Sequence, residues 1–228
     1  MNTNKNRIFK IVGKLLKRLT SISYQYQGEI YEAATFDNKD SDARIALMGF
    51  IRCELIATYF DYNNLLELNN NPTIKLNKIK KSLGEVDIPN NILENILIEH
   101  LRRNFPIHIY SLLESGNRFF FKEGSFKQYL TKFDADLVSA YQILRHIRNS
   151  MHSNGYFLPN DKKDYYCYYR DYNVDYKYGD FVRTNLKFLY LVISDNLKLY
   201  KLMALDSLEK NPEIVLINDN FKIENFNK

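Results

Sequence analysis

Leu144-Arg145-His146-Ile147-Arg148-Asn149-Ser150-Met151-His152-Ser153-Asn154-Gly155 brings together two arginines, two of the chain's four histidines and a helix-stop signal. From Phe133 to Met151, Leu137, Ala140, Leu144, Ile147 and Met151 recur at the spacing of one helical face, and Asn154-Gly155 supplies residue types that enter the left-handed region where helices end. The stretch therefore predicts the last two turns of a long helix. At about 100° per residue, Arg145, Arg148, Asn149 and His152 share an arc of about 100°, centred about 120° from the apolar stripe. One face of this helix belongs to a core, and the other is free to do chemistry.

Two physical readings of the polar face are open. Arginine and histidine in a last turn suit the negative end of the helix dipole, which needs no function at all. A cation pair beside an imidazole also suits phosphodiester chemistry. Arginine holds a phosphate in a fork and stabilises charge developing on its oxygens, while histidine moves a proton near neutral pH.

Working outward, the rest of the chain is written mostly in helical periodicity. Ile8, Ile11, Val12, Leu15, Leu16 and Leu19 oppose Lys10, Lys14, Lys17 and Arg18, which predicts a basic amphipathic helix over residues 4–21. It has neither the continuous apolar run nor the cleavage site of a signal peptide; the pattern fits the first helix of a soluble bundle, and would also suit a membrane surface. Helical patterning resumes over 24–35 as a bent continuation, and 37–42 is a polar loop. Residues 41–68 are apolar nearly all round, which predicts a helix buried at the centre of a bundle. Asn69-Asn70-Asn71-Pro72 stops it. A short helix over 74–83 is closed by Gly84, and another begins at Pro89 and continues past a kink before Pro106 to Leu113, carrying His100 and His108 as ordinary surface or half-buried histidines. Arg118-Phe119-Phe120-Phe121-Lys122 reads as an aromatic plug for the end of the bundle, or as the flank of a nucleic-acid path.

Beyond Gly155 the composition changes. Seven tyrosines between Asp164 and Tyr178, with Cys167 and Val174, favour strands over helix, and Asp171-Tyr172-Asn173 is the expected turn of a two-stranded hairpin. Tyrosines interleaved with Lys162, Lys163, Arg170 and Lys177 could stack on single-stranded RNA, but tyrosine serves half-exposed hairpins and dimer contacts equally well. A closing helix is expected over 180–209, ended by Pro212, followed by the short apolar run Ile214-Val215-Leu216-Ile217 and a polar mobile tail over 218–228.

Bulk properties narrow the classes. With 228 residues, 45% of them hydrophobic, the chain is expected to form one domain over 1–228. The expected fold class is all-α, a helical bundle with a small β-hairpin insertion near 164–178. A net charge of +5 is compatible with nucleic acid without demanding it. Cys53 and Cys167 cannot build a disulfide framework, and no metal-ligand spacing occurs, so the chain reads as cytoplasmic, off the membrane, and free of metal or other cofactor.

Arg145-His146, followed after five more residues by His152 and then by Ser153-Asn154-Gly155-Tyr156, resembles the signature of the HEPN superfamily, small all-α proteins that include many metal-independent endoribonucleases. Their motif is an arginine, usually followed by a polar residue, then about four to six residues and a histidine near the end of a long helix. Arg148-Asn149 also supplies the Arg-polar pair, with three residues before His152. The resemblance implies a homodimer in which two Arg/His faces form one cleft, and RNA as the substrate. The implied biology is a toxin–antitoxin or anti-phage defence effector, with an antitoxin or sensor protein as partner. It assigns Arg145 and Arg148 to the scissile phosphate, Asn149 to orienting it or capping the helix, and His152 to acid–base work, with His146 assisting. Tyr156, Lys162, Lys163, Tyr166, Tyr168 and Arg170 are the candidate substrate-binding residues. The alternative the motif leaves open is an inactive dimeric module that binds RNA, a nucleotide or a protein.

Overall fold

The computed structural model describes residues 2–37, 39, 42–70, 104–116, 126–182 and 185–210, without the side chains of 2–9, 65–70 and 186. The helix expected over 74–83, the part before residue 104 of the one expected from Pro89, His100, the Arg118–Lys122 stretch, the run after Pro212 and the tail over 218–228 lie outside the described residues. What is described is mostly helical with one small antiparallel hairpin, so the expected fold class holds.

α1 runs unbroken from Asn2–Ala33, where the sequence suggested a break near Ser21. The stretch Thr20-Ser21-Ile22-Ser23 stays helical, and its hydroxyls are satisfied within the helix: Thr20 Oγ1 donates to the Leu16 carbonyl at 3.0 Å and the buried Ser23 Oγ to the Thr20 carbonyl at 2.8 Å. α2, Ala43–Asn70, packs on α1 through Ile45, Met48, Ile51, Leu55 and Tyr62. It is not buried all round, since Phe50, Cys53, Ile56 and Phe60 are exposed, and burial of the opposite stripe is what its packing on α1 can supply.

The start of α2 is tied to the far end of the chain by a buried ion pair. Asp42 Oδ1 accepts from the Arg44 backbone N–H at 2.8 Å, and the Arg44 guanidinium returns to the same carboxylate through Nε at 2.9 Å and Nη2 at 2.6 Å. Arg44 Nη1 then donates to Ser207 Oγ at 3.2 Å, and Tyr200 Oη donates to the Arg44 carbonyl at 2.9 Å. Pairing and hydrogen bonding together make it possible to leave these charges in a dry core.

The helical span 104–116, α3, has Pro106 in its first described turn and ends against the same place. A Cβ on Gly116 would lie 2.6 Å from both Leu47 Cδ2 and Tyr200 Cε2, so only glycine admits this approach. His108, exposed as expected, places Nδ1 at 2.9 Å from Glu54 Oε1 and links α3 to α2.

A short helix α4, Phe126–Leu130, leads into α5, Ala135–His152. Asp134 caps α5, its side chain accepting from the Asp136 N–H at 2.8 Å. Leu137, Ala140, Tyr141, Ile143, Leu144 and Ile147 are buried along it, and Leu144→Ala at a fully buried position would cost about 2–5 kcal/mol. The helix stops where the sequence said: Ser153 is the C-cap, Asn154 and Gly155 take φ of 55° and 93°, and the Gly155 N–H donates to the Ser150 carbonyl at 2.8 Å.

β1, Tyr165–Tyr169, pairs antiparallel with β2, Tyr172–Tyr176, and β1 lies against α5. The turn is Arg170-Asp171, earlier than Asp171-Tyr172-Asn173, because Tyr169 already pairs with Tyr172. Tertiary bonds fix it there: the Arg170 N–H donates to Asp136 Oδ1 on α5 at 2.9 Å, with Arg170 held at φ 52°. α6, Leu186–Lys210, starts later than the expected residue 180, with the Phe188 N–H donating to Asn185 Oδ1 at 2.7 Å. Residues 180–182 are instead extended, bonded to the segment that leaves α5. α6 packs on α1 and α5, so it is the wall between the first helices and the Arg/His helix.

Candidate functional site at the C-terminal end of the Arg/His helix

The buried stripe of α5 and its two caps decide which way the last two turns face. With Leu144, Ile147 and Ser150 in the core, Arg145, Asn149 and His152 fall one above another on the exposed side, and all three are exposed. Neither the Arg145 guanidinium nor the His152 imidazole makes a hydrogen bond or ion pair among the described residues. Both are available to an anion arriving from solvent.

Arg148 is differently placed. Its guanidinium carbon sits 5.4 Å from the centroid of Tyr110 on α3, Nη2 lies 3.5 Å from Glu114 Oε2, and Nη1 donates to Asn149 Oδ1 at 3.0 Å. Its Nε is buried with no partner. Tyr110 in turn meets Tyr141 of α5 through their hydroxyls at 3.2 Å. Burial raises the Tyr110 phenol well above its ordinary value, with the neighbouring Tyr141 adding to the rise, so this hydroxyl stays neutral. Arg148 thus fastens α3 to α5 and orients Asn149, while Arg145 stands free; sequence spacing could not separate the two.

His146 departs from the role expected for it. Its ring lies among Tyr165 (centroids 4.2 Å apart), Phe157 (5.3 Å) and Tyr176 (6.5 Å), on the flank of α5 that holds the hairpin. Burial, reinforced by the Arg145 charge, pushes its pKa down to about 4, so it is neutral at physiological pH. That is the environment of a packing residue, and the assisting proton carrier becomes a wedge between helix and hairpin.

The candidate substrate residues divide in the same way. Arg170 grips Asp195 of α6 with both arms, Nε to Oδ2 at 2.9 Å and Nη2 to Oδ1 at 2.7 Å, and Tyr169 Oη donates to the same carboxylate at 2.7 Å. It anchors the hairpin and is not available to RNA. Side chains alternate along the strands, so Tyr165, Cys167 and Tyr169 turn inward while Tyr166 and Tyr168 face solvent. The Tyr166 hydroxyl donates to Asp164 Oδ2 at 3.1 Å, and Asp175 stands opposite Tyr166 in the register. Carboxylates on that face make it a poor track for phosphates. Lys162, Lys163 and Tyr156 are exposed, Tyr156 four residues past His152.

Sequence reasoning missed Glu114, Tyr110 and Asp195. The first two left no signal, because contact between α3 and α5 is not local. Asp195 did leave one: with Asn196 it interrupts the apolar run Leu191-Val192-Ile193…Leu197 on a core stripe, and a carboxylate there requires a buried partner. Among the described residues no cluster of three or more His, Cys, Asp or Glu is placed to hold a metal ion, and no helix is long and apolar enough to cross a membrane. The chain matches no protein-family model, no curated protein and no solved structure.

Proposed function

We propose that the chain is a HEPN-type endoribonuclease that works as a homodimer and cuts RNA through the ribose 2′-hydroxyl, as a toxin or anti-phage effector in the cytoplasm. One observation carries this reading: Arg145, Asn149 and His152 stand exposed on one stripe at the capped end of α5, and among the described residues neither Arg145 nor His152 has an internal partner that would explain it as packing.

In the proposed reaction the 2′-oxygen attacks phosphorus and the P–O5′ bond breaks, leaving a 2′,3′-cyclic phosphate and a 5′-hydroxyl. The 2′-hydroxyl proton goes to one imidazole, and a second, protonated imidazole gives its proton to the leaving 5′-oxygen. One protomer offers one exposed histidine at this site, and a symmetric pair offers two, so dimerisation belongs to the chemistry. Arg145 stabilises charge on the non-bridging oxygens, and Asn149, held by Arg148, offers its amide N–H to the same phosphate.

Cleavage of a diverse RNA pool in EDTA tests the proposal. Cyclic-phosphate ends, with DNA left intact, are the expected result. A dimer that binds RNA without cutting it, with wild type and His152→Ala indistinguishable, leaves the binding module. The engagement of Arg148 by Glu114 and Tyr110 favours that second reading, because it leaves Arg145 as the one arginine of this helix face with no internal partner among the described residues.

A further inference from the structure

Just past the cap of α5, Tyr156 pairs with Phe181 in an isolated antiparallel bridge. The backbone there is pinned on both sides: Val182 N–H to the Gly155 carbonyl at 2.8 Å, Phe157 N–H to the Asp180 carbonyl at 2.9 Å, and Gly179 N–H to the Phe157 carbonyl at 2.9 Å. Extended chain alternates, so Phe157 and Val182 enter the core while Tyr156 and Phe181 stand outward, 48% and 50% exposed. Their rings meet edge to face with centroids 5.6 Å apart. Phe181 lies on Gly155 so closely that a Cβ there would be 2.4 Å from its Cε2. A rigid ladder therefore holds two aromatic rings half in water, where neither completes the core.

Their position relative to the Arg/His face gives that exposure a use. Tyr156 is four residues from His152, a span of at most about 14 Å even fully extended, and Gly155 and Tyr156 follow a turn, which shortens it. Asp180, beside Phe181, leaves the extended chain on the opposite side from the rings, so the aromatic face itself carries neither Asp180 nor its charge. The outer face of the hairpin, by contrast, sets Tyr166 beside Asp164 and Asp175.

We propose that Tyr156 and Phe181 form a stacking subsite for one unpaired base of the RNA whose phosphate sits at Arg145 and His152. The subsite rests on the ribonuclease reading and adds where the strand leaves the cleft. Stacking on aromatic rings tolerates any base, so it selects single-stranded over paired RNA and not one sequence over another.

A short 2′-fluoro oligonucleotide carrying 2-aminopurine tests the subsite without cleavage, since it has no attacking hydroxyl and its fluorescence falls when the base stacks. Wild type should quench it. Phe181→Leu, which keeps apolar bulk on Gly155, and Tyr156→Leu each lose one ring and should weaken binding about 5- to 150-fold and abolish the quench, while Tyr156→Phe, which keeps the ring, should retain the quench. Thermal melting of each variant identifies any that fail to fold, and the less perturbing Tyr156→Leu then decides. If wild type cuts RNA but both leucine variants bind and quench as it does, the subsite is overturned and the nuclease stands. If wild type binds and quenches through these rings but cuts nothing, the subsite stands and the nuclease reading falls. If it binds no oligonucleotide, both fall.

Discussion

The two flanks of α5 at its last turns carry the same residue types and treat them in opposite ways. On the hairpin flank His146 is wedged among Phe157, Tyr165 and Tyr176, and Arg170 is locked onto Asp195. On the open flank Arg145 and His152 stand in solvent with no internal partner among the described residues. A charge or an imidazole that packing has already satisfied is poor machinery, because recruiting it means breaking the fold. One left unsatisfied at a rigid, capped helix end is preorganised for an external anion.

The largest expected effect divides the flanks directly. His152→Ala should reduce RNA cleavage about 10²–10⁴-fold, the usual loss of a general acid–base, whereas His146→Phe should leave the rate within a few-fold. Arg145→Ala should remove roughly 3–4 kcal/mol of transition-state stabilisation, and Arg148→Ala should act mainly on stability through the loss of its contacts with α3. Single-turnover rates on one RNA oligonucleotide read all four. Equal losses at the two histidines would break the comparison.

Next in size is the anchor of the closed flank. Arg170→Ala strands the Asp195 carboxylate, whose side chain is 6% exposed, with the Tyr169 hydroxyl as its one remaining hydrogen-bond donor among the described residues. Arg170 is itself 44% exposed, so the penalty falls below that of a fully buried pair, about 2–3 kcal/mol. Urea unfolding should show a lower midpoint with an unchanged slope, while RNA binding by the folded protein is kept. A variant of normal stability that no longer binds RNA would return Arg170 to the substrate path.

Gly155→Ala comes third, because it disturbs the junction from which both flanks leave α5. At φ 93° an alanine is strained, and its Cβ would meet the Phe181 ring. A loss of about 1–3 kcal/mol in thermal or urea unfolding is expected, and a neutral result would mean that the bridge to Phe181 yields.

What the sequence made legible was local. The end of α5, its polar arc and the hairpin follow from periodicity, cap residues and tyrosine-rich composition, all properties of neighbouring residues. The continuity of α1 was hidden because Thr20 and Ser23 look like helix breakers until their hydroxyls are seen to bond one turn back. The Asp42–Arg44 pair with Ser207, and Arg170 with Asp195, join segments far apart in the chain, and no spacing rule names such partners. The same limit applied to the site. Arg145 and Arg148 are indistinguishable on a helical wheel, and only Tyr110 and Glu114 from α3 separate them.

The smallest effect is also the sharpest test of the closed flank, because it reads His146 without any assumption about RNA. Burial and the Arg145 charge lower its pKa from 6.5 to about 4 in the folded chain. Above about 6.5 the ring is neutral whether the chain is folded or not, and it contributes no pH dependence. Between about 6.5 and 4 the unfolded chain takes up a proton that the folded chain refuses, so stability falls as pH falls; below 4 both states are protonated and the loss ends. Allowing for the ring's residual exposure, the loss is about 1–2 kcal/mol. The carboxyls whose pKa the fold lowers, Glu29, Asp164 and Asp206, start from ordinary values of 4.5 or below, so their acid losses belong to a lower window. His146→Phe keeps an aromatic ring in the wedge and removes the proton. The difference in unfolding free energy between wild type and variant should be flat from pH 8 to about 6.5 and then move in favour of the variant down to about 4. A difference that stays flat across that window would mean that the ring accepts a proton in the folded state, and His146 would rejoin His152 as a candidate proton carrier.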